Sequence, residues 1–108
     1  YAKLLLENRQ EFTAIVCGND LIAFGALNAI KDMGYKVPDD ISLVGYDDIY
    51  LTTLTEPKLT TIRQPLDEMS RYAVNVLVKL MNDETIAEEN KVFTPHLIVR
   101  DSVRRLRT

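Results

Sequence analysis

Short apolar runs alternate with helix-like patterns along this chain. Residues 13–17 and 41–46 are continuous apolar runs, typical of strands that a parallel sheet buries on both faces. Residues 20–33 lie between them and carry apolar side chains around more than one helical stripe, which predicts a helix buried on two sides. A strand–helix–strand unit normally has parallel strands and a right-handed connection. The pattern therefore predicts an α/β fold with a parallel sheet.

Capping residues set the predicted ends of this first long helix. Asn19 is a favourable N-cap for helix 20–33, and Asp20 adds a negative charge to its first turn. Gly34 is placed to end the helix in a left-handed conformation. Residues 49–54 predict one or two further helical turns.

The second half of the chain continues the alternation of strands and helices. Residues 59–62 are rich in β-branched side chains and predict a third strand. Pro65 fits the first position of a helix over residues 66–81, whose apolar side chains recur every three or four positions. We expect this helix to be amphipathic. The last strand, residues 96–100, is predicted to pair near its start with residues 92–94.

Composition indicates one small soluble domain and excludes several classes of protein. The chain has 108 residues, of which 46% are hydrophobic and 27% charged, and its net charge of −3 gives no electrostatic case for binding nucleic acid. No apolar run approaches the roughly 20 residues that cross a bilayer, and no secretory signal pattern opens the chain. Residues 1–10 look like the end of a helix already under way, so we expect a fragment of a longer protein.

Isolated reactive residues have structural interpretations. The single cysteine, Cys17, is expected to be a small buried hydrophobe, and the single histidine, His96, to be structural or exposed. Phosphate-binding, dinucleotide-binding, metal-binding and nucleophile-elbow motifs are absent from the sequence. We therefore predict neither an enzyme nor a cofactor or metal site. A basic run near the C-terminus is expected to be a solvated tail; it consists of Arg100, Arg104, Arg105 and Arg107.

Two polar residues at strand ends are the best functional lead. Asn19 follows the first predicted strand and Asp47 the second, and parallel strands place both at the edge where open α/β sheets bind ligands. A helix cap at Asn19 and a turn at Asp47 are alternatives that need no ligand. A carboxylate and an amide together suit a sugar or another polyhydroxylated or polar heterocyclic ligand. Asp48 is expected to turn away from this edge and to cap the next short helix.

Four blocks of the sequence strongly resemble the LacI/GalR family of bacterial transcription regulators. The blocks occur in the family's order and cover nearly the whole chain. They are TAIVCGNDLIAFGAL from residue 13, VPDDISLVGYDD from residue 37, LTTIRQP from residue 59 and PHLIVRDS from residue 95.

The resemblance implies a periplasmic-binding-protein-like, doubly wound α/β effector domain of two lobes, with the ligand between them. This chain would be the C-terminal portion of that domain. Residues 11–57 and about 95–104 would belong to the second lobe, and residues from about 59 to 81 would cross to the first.

The resemblance also assigns roles to particular positions. Ligand-binding positions of the family correspond to Asn19, Asp47 and Gln64. The family's dimer interface corresponds to Leu21, Phe24, Tyr50 and Leu51. Apolar residues at the start of helix 20–33 and around residue 51 spread wider than one packed stripe needs, which favours a twofold contact. The alternative is that neighbouring helices of the same chain cover this surface.

The resemblance implies that this chain is the effector-binding part of a cytoplasmic repressor. This part would sense a small polar ligand such as a sugar. The regulator would be a homodimer that binds DNA through an N-terminal helix-turn-helix absent from this chain, with no membrane partner. A solute-binding protein for sugar transport is the alternative. An enzyme acting on carbohydrates or phosphates would need a nucleophile or a metal set that the sequence does not show. A helix-turn-helix upstream of Tyr1 would favour the regulator, and a signal peptide would favour transport.

Overall fold

The computed structural model describes residues 1–8, 11–88 and 90–107. The chain divides into two compact units. The first contains Tyr1–Arg63 together with Leu97–Thr108, and the second is Gln64–His96. Over the described residues, no helix is both long and apolar enough to span a membrane.

The first unit is built around parallel strands, as predicted. Strand β1 pairs with β2 in parallel, with Ile15 opposite Leu43. A single parallel bridge joins Val44 at the end of β2 to Thr60, just before β3, and β3 pairs with β4. The elements are α1 (Ala2–Glu7), β1 (Ala14–Val16), α2 (Asp20–Asp32), β2 (Ser42–Val44), a short 3-10 helix (Tyr50–Thr53), β3 (Thr61–Arg63), α3 (Leu66–Met81) and β4 (His96–Ile98).

The core of the first unit lies between α2 and the sheet. Helix α2 contributes Ala23, Leu27 and Ile30 to it, and β2 contributes Leu43. Helix α2 contacts both α1 and β2. Its first turn differs from the prediction of burial on two sides, because Leu21 is 63% exposed there. This turn begins beyond the end of β1, where the described part of the chain provides no element that buries its outer face.

The predicted caps of α2 are confirmed. The Asn19 side chain accepts a hydrogen bond from the backbone N–H of Ile22 over 2.8 Å, which satisfies one free donor of the first turn. Gly34 follows the C-cap Met33 with φ +84°, a backbone conformation that favours glycine. At α3, Pro65 is the N-cap and not the first helical residue, because the helix begins at Leu66.

The second unit consists mainly of α3 and the segment that follows it. The predicted limits of α3 are confirmed, yet none of its residues is buried. The Tyr72 ring packs edge-on against Phe93 with centroids 5.7 Å apart, and its hydroxyl donates to the Glu88 carbonyl oxygen over 2.7 Å. The predicted pairing of residues 92–94 with the last strand is wrong, because that segment is not a strand and β4 pairs with β3. The Phe93 ring is instead placed by its contact with α3.

Candidate functional site

Backbone hydrogen bonds bring the two polar strand ends together. The N–H of Asp20 donates to the carbonyl oxygen of Tyr46 over 2.9 Å, and that of Cys17 donates to Val44 over 2.8 Å. Asn19 and Asp47 each adjoin one end of the Asp20–Tyr46 bond. The expectation that these two residues share one edge of the sheet is therefore confirmed, and both are half-buried there. We call this place the strand-end edge.

Asp47 sits in a backbone conformation that few non-glycine residues adopt. Its φ is 110°, and Asp48 follows with φ 57°. The N–H of Asp47 donates to the carbonyl oxygen of Ile62 over 2.9 Å, and the N–H of Asp48 donates to the Thr61 hydroxyl over 3.3 Å. Such conformations persist when the surrounding structure fixes them. The loop after β2 is thus attached to β3 through the backbone of both aspartates.

Asp48 does not cap the following short helix, so that prediction was wrong. The N-cap of the 3-10 helix is Ile49, with no side-chain cap. Asp48 Oδ2 accepts from Arg63 Nε over 2.6 Å, and Oδ1 accepts from Arg100 Nη2 over 2.6 Å. Only 5% of the Asp48 side chain is exposed. Burial alone would raise the pKa of this carboxyl, but the hydrogen bonds from Arg100 and Arg63 outweigh it and hold the pKa below its ordinary value.

Arg100 is a structural residue of the first unit and not part of a solvated tail, which corrects a second prediction. Its side chain is 14% exposed. Besides the bond to Asp48, Nη1 donates to the Thr52 hydroxyl and to the Leu59 carbonyl oxygen, each over 2.9 Å. A guanidinium has several donors in a fixed plane, so it can join three partners at once. Arg104 is also engaged, through Nε and the Pro38 carbonyl oxygen at 3.1 Å.

Asp20 does more than place a charge in the first helical turn. It is 1% exposed, and its carboxylate accepts from the Thr61 hydroxyl over 2.5 Å and from the Ile49 N–H over 2.9 Å. Gly45 at the end of β2 gives this carboxylate room, since a Cβ there would overlap Asp20 and the Leu59 side chain. Asp20 therefore ties the start of α2 to β3 and to the loop that carries Asp47.

Gln64 is placed differently from the other two predicted ligand residues. It is half-buried and belongs to the second unit, whereas Asn19 and Asp47 belong to the first. Its carbonyl oxygen accepts from the Leu66 N–H over 2.9 Å at the start of α3.

Three of the four predicted interface residues form exposed apolar surface. Tyr50 is 76% exposed, Leu21 63% and Leu51 47%. Phe24 is different, because it is half-buried and packs against the core of the first unit. The neighbouring Leu54 adds to the same kind of surface with 62% exposure. Large exposed apolar patches are typical of contact surfaces.

The structure shows the surroundings of the single cysteine and the single histidine. Cys17 is buried, and burial raises the pKa of its thiol, as expected of a small hydrophobe. His96 is exposed. Among residues 1–8, 11–88 and 90–107, no cluster of His, Cys, Asp and Glu is arranged to hold a metal ion. The strand-end edge offers hydrogen-bonding groups and charge, which is the chemistry of ligand recognition.

Comparison with known proteins identifies the family. The profile of the periplasmic binding protein-like domain matches residues 2–103. An uncharacterized HTH-type transcriptional regulator in the aml 5′ region of Streptomyces limosus is 44% identical over 93 residues, which are 86% of this chain and 26% of that protein.

Two solved structures share the fold. A LacI-type transcription regulator from Bifidobacterium animalis subsp. lactis has a TM-score of 0.88 at 32% identity, over 96% of this chain and 37% of that one. A LacI family regulator from an Arthrobacter species, in complex with lactose, has a TM-score of 0.82 at 33% identity, over 95% of this chain and 39% of that one. This chain thus spans between 26% and 39% of the length of these relatives. Because the family profile covers nearly all of it, the chain belongs to the periplasmic binding protein-like domain family, among the LacI/GalR-type transcription regulators.

Proposed function

We propose that this chain is the effector-binding part of a LacI/GalR-type repressor, and that Asn19 and Asp47 hold a small polyhydroxylated ligand, a sugar. The observation that carries the proposal is the strand-end edge, where the Asp20–Tyr46 backbone bond joins the segments that bear these two residues. A carboxylate accepts hydrogen bonds from hydroxyl groups, and an amide both accepts and donates them. The Arthrobacter relative in complex with lactose supports a sugar as the ligand.

Asn19 has two roles in this proposal. Its Oδ1 accepts from the Ile22 N–H and caps α2, so the helix holds the side chain at a fixed place. A carbonyl oxygen has two lone pairs and the amide nitrogen two donors, so the cap leaves chemical capacity for a ligand hydroxyl. The family resemblance also proposes Gln64 as a ligand-binding residue.

The proposed regulator is a cytoplasmic homodimer that binds DNA through a helix-turn-helix outside this sequence. Ligand at the strand-end edge changes DNA affinity only as far as it binds one conformation of the dimer more tightly than the other. Exposed apolar side chains support a contact between two copies through Leu21, Tyr50 and Leu51. Phe24 is proposed to join this contact, although it also packs against the core. Association through such a surface gains from the removal of apolar area from water.

Fluorescence anisotropy on the intact protein tests the proposal. Genomic DNA fragments that bind the protein are labelled. Each labelled fragment is then titrated with the protein in the presence and in the absence of mono- and disaccharides, including lactose. We expect at least one sugar to change the affinity for DNA by about 5- to 150-fold, the usual range of allosteric coupling. A protein that binds a sugar but no DNA fragment would instead be a transport protein, and DNA affinity insensitive to every sugar would contradict the sugar assignment.

A further inference from the structure

Three segments of the first unit converge on the buried carboxylate of Asp48. Arg63 is the last residue of β3, Arg100 follows β4, and Thr52 lies in the 3-10 helix. Each carboxylate oxygen accepts from a different guanidinium at 2.6 Å, and Oδ1 also accepts from the Thr52 hydroxyl at 3.2 Å. Bonds to both oxygens from different directions fix the plane of the carboxylate. We call this group of side chains the Asp48 clamp.

The Asp48 clamp adjoins the residue that the proposed site depends on. Asp47 immediately precedes Asp48, and both have positive φ, at 110° and 57°. Left-handed and neighbouring conformations are unfavourable for a non-glycine residue unless the surroundings hold them. Two bonds from the backbone N–H groups of this pair help to hold these conformations. Asp47 donates to the Ile62 carbonyl oxygen and Asp48 to the Thr61 hydroxyl.

We propose that Asp48 is a positioning residue for ligand binding, whose ion pairs with Arg63 and Arg100 hold Asp47 in its strained backbone conformation. The inference rests on the proposed function, because it takes Asp47 as the ligand contact. Asp48 itself is turned into the protein, with its side chain 5% exposed and both oxygens engaged by the clamp. Asp48 therefore acts on the ligand only through its neighbour.

The geometry distinguishes the two arginines within the clamp. Arg100 is 14% exposed and donates to Thr52 and Leu59 as well, so its loss removes several bonds at once. Arg63 is 57% exposed, and its ion pair with Asp48 connects the clamp to the end of β3. Substitution of Arg63 therefore weakens the clamp and disturbs the core less than substitution of Arg100 does.

Amide hydrogen exchange in the ligand-free protein tests positioning without any assumption about the ligand. The variants are Asp48→Asn and, as the milder change, Arg63→Gln, with Asp39→Asn as the control because Asp39 is exposed in the same unit. We expect exchange at the Asp47 amide to become at least about tenfold faster in Asp48→Asn, as for the loss of a charge-assisted hydrogen bond, and faster in the same direction in Arg63→Gln. The amides of Leu43 and Cys17, which donate to the carbonyl oxygens of Ser102 and Val44, serve as internal references.

The exchange result decides the proposal in either direction. Faster exchange confined to Asp47 and its neighbours in both variants supports positioning. If Asp47 changes no more than Leu43, whether both are unaffected or both accelerate equally, positioning by Asp48 is overturned. Where Asp48→Asn does not fold, Arg63→Gln alone gives the same decision.

A double-mutant cycle on sugar affinity then separates positioning from a general effect on the fold. Asp48→Asn should weaken binding of the responding sugar by about tenfold in the parent background. It should have no further effect in the Asp47→Gly background, because the residue being positioned is gone. Equal losses in both backgrounds would contradict action through Asp47. Failure of every sugar to bind would overturn the proposed function, while the exchange experiment would still decide the positioning role.

Discussion

The hydroxyl of Thr61 donates a hydrogen bond to Oδ1 of Asp20 over 2.5 Å, and both side chains are almost completely buried. The same hydroxyl accepts from the Asp48 N–H at 3.3 Å. A single threonine on β3 thus joins the start of α2 to the loop after β2. Buried charged groups are tolerated when their hydrogen bonds are satisfied, and here that requirement organises the strand-end edge.

Replacing Thr61 by valine should destabilise the protein strongly, although the substitution changes the shape of the side chain only slightly. The substitution keeps the volume but removes the donor to a buried carboxylate, which should cost about 1.5–3 kcal/mol in the free energy of unfolding. Urea denaturation measures the effect. Thr13→Val is the matched control, because Thr13 is exposed in the same unit, and it should change stability by less than about 0.5 kcal/mol. Equal effects at the two positions would show that the Thr61–Asp20 bond contributes nothing.

Gly45 should not accept alanine, although alanine is tolerated elsewhere in the first unit. The added methyl group would overlap the Asp20 carboxylate and the side chain of Leu59, so we expect a loss of about 1–3 kcal/mol. Gly25 is the control, because it lies in α2 with open space around a Cβ. Gly25→Ala should stabilise by about 0.5–1 kcal/mol through helix propensity. Thermal unfolding of the two variants should therefore shift in opposite directions, and a tolerated Gly45→Ala would refute the close approach.

The charge of Asp48 should stabilise the protein in a pH-dependent way. Because the folded pKa lies below the ordinary value, the contribution is fully present above the unfolded pKa of about 3.9 and is lost as pH falls through the folded pKa. Asp48→Asn should lower the free energy of unfolding by about 1.5–3 kcal/mol at pH 7. Solvent screening of the exposed Arg63 reduces the share of this loss that comes from the Arg63 ion pair.

Urea unfolding of both proteins from pH 7 to pH 2.5 measures this dependence. The difference in stability between the parent and Asp48→Asn should be constant near neutrality and should shrink below pH about 4. Asp39→Asn controls for the general effect of one charge. A difference that stayed constant to the lowest pH would mean that the folded protein does not favour the charged form of Asp48.

Association of two copies should depend on the exposed apolar residues near the strand-end edge. Leu21→Lys places a charge on a side chain that is 63% exposed, so the monomer should fold while dimerisation is lost. Phe24 is a poorer position for this test, because it also packs against the core. Leu106→Lys is the control, since Leu106 is 52% exposed elsewhere in the first unit.

Sedimentation velocity of the intact protein decides between these outcomes. We expect Leu21→Lys to sediment as a monomer and Leu106→Lys to sediment as the parent does. A Leu21→Lys protein that remained dimeric would remove this surface from the proposed interface.

Local signals predicted those features of the fold that local chemistry determines. The limits of α2 follow from Asn19 and Gly34, and the parallel pairing of β1 with β2 follows from the helix between them. The segment around Phe93 was misjudged because β-branched and aromatic residues favour strands in general. In the fold that ring packs on Tyr72, a tertiary contact that overrides local preference.

Side-chain partners distant in sequence were beyond prediction. Asp48 and Arg100 are 52 positions apart, and Asp20 and Thr61 are 41 apart. An aspartate after a strand has the same local pattern whether it caps a helix or pairs with two arginines. Arg100 gave one usable signal, since it continues the predicted strand from residue 96 and so was poorly placed for a solvated tail.

Isothermal titration calorimetry of Asp47→Gly with the responding sugar measures whether Asp47 holds the effector. Glycine adopts positive φ readily, so this variant removes the carboxylate while leaving the backbone at φ 110° unstrained. We predict that affinity falls about ten- to a hundredfold, as for the loss of a charge-assisted hydrogen bond, while the exposed control Asp39→Ala binds as the parent does. An Asp47→Gly protein that bound the sugar with the parent's affinity would show that Asp47 is not a ligand contact.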